Sequence, residues 1–313
     1  MKKSILLTLI LAVIAFTSVG MWGDLARAGP ELRRFTWYLI PAIALFGFGN
    51  DMIKFLRWQV YLRKLGIDIP MARSLGVFIS GLSMSATPGK VGFLLKSQML
   101  KVASKRGFIS VSPVVISELY MDLIGLSIVS LVGIGFMSRG VWITLVICMI
   151  PLLGLVPGIA EFMVSIIARL PYMSSRASEL ESALKDMFRL FGPGVLMVSL
   201  AITLVAWTSE GMALKLILKG LGFEIGLVKA TSIFGFSTLI GALSFLPGGL
   251  VVTDASLMGL IIHAGIPRGT SAIACIMARL STLWLSVFIG SLYLVFNKGY
   301  ILQDRGGGVD EKE

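Results

Sequence analysis

Charged residues are scarce in this chain, and several other chemically useful residues are scarcer still. Only 14% of the 313 residues are Asp, Glu, Lys or Arg, whereas a soluble globular domain has about 25%. With 56% hydrophobic residues and a mean hydropathy of +0.90, the chain has more apolar surface than a soluble fold can bury. These values exclude a soluble enzyme and a disordered chain, and they indicate a protein with several membrane-spanning helices.

Histidine and cysteine are almost absent, which limits the chemistry that the chain can perform. His263 is the single histidine, and the two cysteines, Cys148 and Cys275, lie inside apolar stretches. The sequence has no metal-ligand spacing, no disulfide framework, no phosphate-binding loop and no nucleophile motif. We therefore expect a protein that is not an enzyme and has neither a metal nor a cofactor.

Positive charge exceeds negative charge, with a net charge of +11. Most lysines and arginines flank apolar stretches, so the expected partner is anionic lipid of the cytoplasmic leaflet and not nucleic acid. Cytoplasmic loops of membrane proteins carry an excess of Lys and Arg. The orientation that puts most of these residues on the cytoplasmic side predicts a multi-pass protein of the cell membrane with both termini in the cytoplasm.

Six apolar stretches are long enough to cross a bilayer, which takes about 20 residues. The first, residues 4–23, is also compatible with a signal peptide, but its length and the nearby charges of Asp24 and Arg27 favour an uncleaved helix. The other five stretches lie near residues 35–60, 109–138, 140–158, 193–218 and 267–297.

Two further apolar stretches are interrupted by Pro-Gly. Residues 71–105 break at Pro88-Gly89, and residues 224–265 break at Pro247-Gly248-Gly249. Each limb is too short to span the membrane, so both stretches are predicted to be re-entrant hairpins. Such hairpins are tolerated only where protein or a water-filled cavity surrounds them. Each proline is expected to begin the first turn of the returning limb.

The two halves of the chain resemble each other at an offset of about 157 residues. Residues 65–69 (Leu-Gly-Ile-Asp-Ile) recur as residues 221–225 (Leu-Gly-Phe-Glu-Ile), the two Pro-Gly breaks correspond, and Asp122 corresponds to Arg279. Each unit is a helix, a broken hairpin and a helix, and the two units enter the membrane from opposite sides. The prediction is an all-α integral membrane protein with about six transmembrane helices plus two re-entrant helical hairpins in an inverted-topology repeat.

This repeat divides the chain into five predicted segments. They are residues 1–34 (first transmembrane helix and external loop), 35–138 (first repeat), 139–192 (fourth transmembrane helix and a cytoplasmic amphipathic helix), 193–297 (second repeat) and 298–313 (cytoplasmic tail).

The amphipathic helix is predicted over residues 174–191. Leu180, Leu184, Phe188 and Phe191 recur at helical spacing with charged residues between them. This pattern favours a helix that lies on the cytoplasmic membrane surface, and a solvated linker packed on the bundle is the alternative.

Charges inside the predicted membrane segments indicate the candidate site. Lys90 follows the first break and Arg279 lies in the last helix, where a cation costs at least about 2.5 kcal/mol unless it has a partner or a purpose. Helix N-termini at the two breaks would add partial positive charge. A phosphate-binding site is one interpretation, and neutralisation by carboxylates that only holds the bundle together is the other. The candidate residues are Lys90, Arg279, Glu118, Asp122, Asp254, Gly89, Gly248 and Gly249, with hairpin breaks at Pro88 and Pro247.

Two of these carboxylates, Glu118 and Asp122, are four residues apart and share a helix face. Ion pairing with Lys90 and Arg279 is one interpretation, and binding of a proton or cation is another. Lys54 is interpreted as snorkelling towards the interface. Further polar residues of the predicted helices, expected only to face the bundle, are Asn50, Asp51 and Glu210.

The sequence around both breaks resembles the flippase-like membrane family that includes the transmembrane region of lysylphosphatidylglycerol synthase. Members carry a Pro-Gly-(Arg/Lys)-x-Gly-Glu motif, which stands here as residues 88–93 with Phe93 in place of Glu. They also carry Leu-Pro-Gly-Gly-x-Gly-x-x-Glu, which stands here as residues 246–254 with Val251 and Asp254 as departures. The other matching elements are Glu118 to Asp122, with Leu119 where Arg is common, and Arg279-Leu280.

The resemblance covers nearly the whole chain and implies a lipid translocase. Such a protein moves a phospholipid or a polyprenyl-phosphate-linked lipid between leaflets, so its partner is an anionic membrane lipid or a lipid-linked phosphate. Two alternatives are open: an ion-coupled small-molecule transporter, and a non-transporting subunit that presents lipid to a glycosyltransferase or another lipid-modifying enzyme.

Overall fold

A computed structural model describes residues 29–33, 35–87, 92–133, 145–150, 158 and 177–297 of this chain. Within these residues the elements are all helical, and none is a strand. The helices are α1 (Gly29–Arg33), α2 (Ile40–Lys64), α3 (Met71–Leu82), α4 (Phe93–Ser104), α5 (Phe108–Val132), α6 (Ala177–Leu190), α7 (Pro193–Gly220), α8 (Leu227–Leu243), α9 (Val252–His263), α10 (Arg268–Arg279) and α11 (Leu285–Phe296). Short 3₁₀ turns lie at Trp37–Leu39 and Pro247–Gly249, and a π-helical turn at Leu280–Trp284 joins α10 to α11.

Four helices in the described part of the chain are long and apolar enough to cross a membrane. They run over Trp37–Lys64, Phe108–Val132, Pro193–Gly220 and Arg268–Phe296, and they match four of the six predicted spans. The predicted span at residues 4–23 and most of the one at 140–158 lie outside the described residues. The all-helical prediction is therefore confirmed for the described residues, together with four of its spans.

The repeated sequence at residues 65–69 and 221–225 directly follows the C-terminal ends of α2 and α7. Gly66 has φ +60° and Gly222 has φ +87°, a left-handed conformation that glycine adopts without steric cost. Beyond each glycine the chain turns back, with Ile67 N–H donating to Leu62 O and Phe223 N–H donating to Leu218 O, both at 2.9 Å. Both halves thus use the same glycine cap to end their first long helix.

Helices α2 and α7 pack along each other at the centre of the bundle. The Asn50 side chain donates to the backbone oxygen of Ala206 at 2.8 Å, and the Ser209 hydroxyl donates to the backbone oxygen of Phe46 at 2.7 Å. These buried bonds fix the register of the two helices, since an unpaired polar group at this position would be costly.

Each pair of short helices packs against the last long helix of the other half. Helix α3 packs on α11, and α8 packs on α5. Glycines permit the close approach: a Cβ atom at Gly290 would lie 2.7 Å from Ile79 O, and one at Gly235 would lie 2.6 Å from Val129 Cγ2. Within each pair, α3 packs on α4 and α8 packs on α9.

The expectation that each proline begins its returning limb is wrong for the second hairpin. Gly248 and Gly249 both have positive φ, so the helix cannot continue through the Pro247–Gly249 turn, and α9 begins only at Val252. In the first hairpin α4 begins at Phe93. The prediction for Pro88 lies outside the described residues.

The predicted amphipathic helix is confirmed as α6, which packs against α5. Leu190 at its end is fully buried, and the Phe191 ring lies 5.4 Å from the Tyr120 ring in an edge-to-face arrangement. Leu180 and Leu184 are half-buried, whereas 36% of Phe188 is exposed. Its placement on the membrane surface stays a prediction.

Candidate functional site

A cavity of about 160 Å³ lies where the two short-helix pairs meet the long helices. The second break lies there beside the end of the first short helix pair's described residues, since a Cβ atom at Gly248 would lie 3.2 Å from the Cα atom of Ala86. Gly248 has φ +55°, so glycine supplies both the turn and the close approach. The sequence therefore brings its two interrupted segments to one place.

Charged side chains converge on this cavity from helices that are otherwise apolar. Such groups are costly inside a membrane and in most cases are paired or functional. The charged lining residues are Asp51, Lys54, Arg57, Lys96, Glu118, Asp122, Glu210 and Arg279.

Arg57 on α2 is the most highly connected of these cations. Its guanidinium donates to the Asp122 carboxylate at 2.9 Å, to the Thr203 hydroxyl at 2.6 Å and to the backbone oxygen of Glu118 at 3.2 Å. Only 1% of Arg57 is exposed. The rigid fork of the guanidinium thereby connects three long helices, α2, α5 and α7.

Asp122 also faces a second cation, Lys54. The Lys54 Nζ atom lies 3.4 Å from the carboxylate and 3.7 Å from the centre of the Trp207 ring. This ammonium group is directed into the protein, so the snorkelling interpretation of Lys54 is wrong. The Trp207 ring compensates part of its lost hydration through a cation–π contact.

Lys96 and Glu118 form a fully buried ion pair that holds α4 to α5. The Nζ atom lies 2.6 Å from Oε2 of Glu118, 3.9 Å from the Phe78 ring centre and 4.3 Å from the Trp58 ring centre. A carboxylate and two aromatic faces thus replace the water that the ammonium group loses on burial.

Arg279 and Asp254 form the corresponding pair between α10 and α9. Arg279 Nε lies 2.9 Å from Oδ1 of Asp254, and a terminal nitrogen donates to the backbone oxygen of Gly248 at 2.8 Å. The other carboxylate oxygen of Asp254 accepts from Val251 N–H at 3.1 Å. The N-terminus of α9, predicted to attract an external anion, is therefore already capped by Asp254.

Two carboxylates at the cavity, Asp51 and Glu210, differ from the others. The Ser286 hydroxyl donates to Asp51. Neither Asp51 nor Glu210 has a cation within 4 Å in the part of the chain that the structure describes. In the same part, no group of three or more His, Cys, Asp or Glu side chains is placed to hold a metal ion.

The predicted site residues separate into three groups. Arg279, Glu118, Asp122, Gly248 and Gly249 line the cavity, and Asp254 joins it through Arg279. Pro247 forms the adjoining turn. Pro88, Gly89 and Lys90 lie outside the described residues, so the predicted approach of Lys90 to Arg279 stays a prediction.

Three cations at the cavity were missed as site residues by sequence reasoning: Lys54, Arg57 and Lys96. Lys54 and Arg57 are three residues apart on one apolar helix, which is a signal for a shared buried face. Lys96 gives no comparable local signal, since its partner Glu118 is selected only when α4 packs on α5.

Comparison with known proteins shows the family of this chain. The family described as the lysylphosphatidylglycerol synthase TM region matches residues 4–290. The chain belongs to this family. It is accordingly a membrane protein, and its cavity lies within the matched region.

Two proteins of Methanothermobacter thermautotrophicus, each named a UPF0104 membrane protein, are similar to it. One is 25% identical over 75% of this chain and 78% of its own length. The other is 21% identical over 94% of both chains. Their names give a membrane location and no activity.

Proposed function

We propose that this protein is a lipid translocase that carries anionic lipid head groups between leaflets. The observation that carries the proposal is the charged cavity between two interrupted helix pairs, within a bundle that has apolar outer surfaces. A polar route through a membrane protein needs such a cavity, since a head group cannot cross hydrocarbon alone. The acyl chains would stay in the lipid while the head group passes through protein.

An inverted-topology repeat with two re-entrant hairpins fits this proposal. Its support is the exchange of partners, in which α3 packs on α11 and α8 packs on α5 around the central α2–α7 pair. Transporters built on inverted repeats bind substrate where the halves meet, at discontinuous helices. The cavity is lined by Gly248 and Gly249 of the second break and by Ser85 from the first interrupted segment.

Arg279 and Lys54 are the proposed contacts of the phosphate. Arg279 uses Nε and one terminal nitrogen for its described contacts, so its second terminal nitrogen can donate to a phosphate oxygen. Lys54 has the longest ion pair at the cavity, at 3.4 Å, and is the cation most easily redirected. Lys90, which directly follows the first break in the sequence, is proposed as a third contact.

The test is a leaflet-exposure assay in reconstituted vesicles that contain a fluorescent phospholipid or polyprenyl phosphate. A membrane-impermeant quencher reacts only with label in the outer leaflet. Label that starts in the inner leaflet should therefore be quenched only when the protein moves it to the outer leaflet. Lys54→Gln and Arg279→Lys should slow this exposure, whereas Lys185→Gln on the exposed face of α6 should not. Parental rates in Lys54→Gln, Arg279→Lys and Lys90→Ala together would place the route elsewhere.

The proposed topology places both termini in the cytoplasm of the cell and the two hairpins on opposite sides. Lys101 at the end of the first hairpin would face the cytoplasm, and Arg268 after the second hairpin would face outside. Both side chains are exposed, so Lys101→Cys and Arg268→Cys suit labelling with an impermeant thiol reagent. Labelling of both from one side would contradict the inverted topology.

A further inference from the structure

The charges at the cavity do not balance within the described residues. Lys54, Arg57, Lys96 and Arg279 are the cations, whereas the carboxylates are Asp51, Glu118, Asp122, Glu210 and Asp254, which binds Arg279. Each cation is held by Glu118, Asp122 or Asp254. The two remaining carboxylates have no such partner, so they are the described groups of the cavity that are best placed to take up a proton.

Asp51 on α2 and Glu210 on α7 each follow a residue that bonds these two helices to each other. Asn50 bonds to Ala206 and Ser209 bonds to Phe46, and each acid is the next residue along its helix. Both acids line the same cavity and lie near the middle of long apolar helices. At such a position two ionised carboxylates with no cation within 4 Å are disfavoured.

The surroundings of Glu210 select a proton over a metal cation. The charged groups that line the cavity with it include Asp51 and Lys54 from α2, Asp122 from α5 and Arg279 from α10. Helix α8, also packed on α7, contributes Phe234, Thr238 and Ala242 to the cavity, and none of these titrates. A metal ion needs several ligands, and the described residues bring no group of three or more His, Cys, Asp or Glu side chains together, whereas a proton requires only one oxygen atom with a lone pair.

Two further buried polar atoms at the cavity make no hydrogen bond to a described residue. Thr238 Oγ1 and Arg57 Nε are buried without a hydrogen bond from any described residue. Arg57 is 99% buried, and both side chains line the cavity. Water or a head-group oxygen at the cavity would satisfy them, and water there would give a proton a path to Glu210.

We infer that Asp51 and Glu210 form a proton-binding site that couples lipid movement to the proton gradient. The inference rests on the proposed function. One carboxylate takes a proton from water on one side, forming an O–H bond, and returns it to water on the other side. Protonation removes one negative charge from the cavity, so the protonated cavity binds an anionic head group more tightly than the deprotonated cavity does. By linkage, a bound head group must favour proton binding in return.

The proton site itself is testable without any lipid transport. Infrared difference spectra of the purified full chain across a pH titration report the C=O stretch of a protonated carboxyl group. We expect this band at neutral pH, with its loss or displacement in Glu210→Gln and in Asp51→Asn. Exposed Glu224 supplies the matched control, and Glu224→Gln should leave the band unchanged. An unaltered band in the double variant Asp51→Asn, Glu210→Gln would overturn the inference.

Coupling is tested in the same vesicles with an imposed pH gradient. The parental protein should move fluorescent phospholipid faster in the direction of proton flow, and Glu210→Gln should lose this dependence while it keeps the thermal stability of the parent. A response to the gradient that persists in Glu210→Gln and Asp51→Asn would overturn the coupling. An infrared band with no lipid movement in the parent would contradict the proposed function and leave the proton site established.

Discussion

The two short-helix pairs are each fastened to the following helix by one buried ion pair, but with the charges in opposite order. In the first pair the returning helix carries the cation, Lys96, and α5 carries Glu118. In the second pair the returning helix carries Asp254, and α10 carries the cation, Arg279. Either order gives a neutral buried pair, so the two halves can differ in sequence while they meet the same electrostatic requirement.

The surroundings of the two ion pairs also differ. The Lys96 ammonium group lies against the rings of Phe78 on α3 and Trp58 on α2. Its described contacts do not include the backbone of a hairpin break. Arg279 binds both Asp254 and the backbone oxygen of Gly248, so it fixes the break of the second hairpin directly. A guanidinium can do this because its donors point in several fixed directions.

Removal of one partner from either buried pair should have the largest effect on stability. Glu118→Gln leaves Lys96 without a counter-charge, and Arg279→Met leaves Asp254 without one. Each should cost about 3–5 kcal/mol, since an uncompensated charge stays buried. Unfolding in detergent, followed by tryptophan fluorescence, gives the value. A loss below 1 kcal/mol in both variants would show that water replaces the missing partner.

Exchange of the two charges within each ion pair should restore stability to a different extent in the two hairpins. Lys96→Glu with Glu118→Lys should recover most of the stability lost by either single change. Asp254→Lys with Arg279→Glu should recover less, because Asp254 also caps Val251 N–H and Arg279 also holds Gly248 O. Double-mutant cycles measure both coupling energies. Equal recovery in the two pairs would contradict the extra role of Arg279.

An alanine at the contact between the second break and Ala86 should have an intermediate effect. Gly248→Ala forces a side chain into a left-handed conformation and places a Cβ atom 3.2 Å from Ala86 Cα. We expect a loss of about 1–3 kcal/mol. The matched control is Gly259→Ala on α9, where a Cβ atom meets nothing within 4 Å. That variant should be neutral or slightly more stable, and a loss as large as that of Gly248→Ala would refute the contact.

The exposed ion pair on α6 should have the smallest effect. A hydrogen bond from Lys185 lowers the pKa of Glu181, and the two side chains lie 2.8 Å apart in solvent. Because this pKa is lower in the folded state, the contribution is present at neutral pH and is lost as the pH falls through the acidic range. Glu181→Gln should therefore change Tm slightly at pH 7 and not at all in strong acid. A Tm change comparable to that of Glu118→Gln would contradict the difference between exposed and buried pairs.

Most of the helices and the place of the site were predictable from local patterns. Apolar length predicts four of the described spans, and the repeated Leu-Gly caps appear at the ends of α2 and α7. The two Pro-Gly breaks predict that the interrupted segments meet. The start of α9 was not predictable, because it depends on two consecutive glycines with positive φ and on a carboxylate that caps the helix from within.

By itself, the sequence determined that the chain is helical, that it lies in a membrane and that Arg279, Glu118 and Asp122 belong to a buried site. These conclusions need only hydropathy, helix length and the cost of a buried charge, all of which act locally. Only the tertiary structure decided which charges pair. Lys96 with Glu118, Arg57 with Asp122 and Arg279 with Asp254 all join different helices. Their partners depend on helix packing, which leaves Asp51 and Glu210 as the cavity carboxylates with no cation within 4 Å among the described residues.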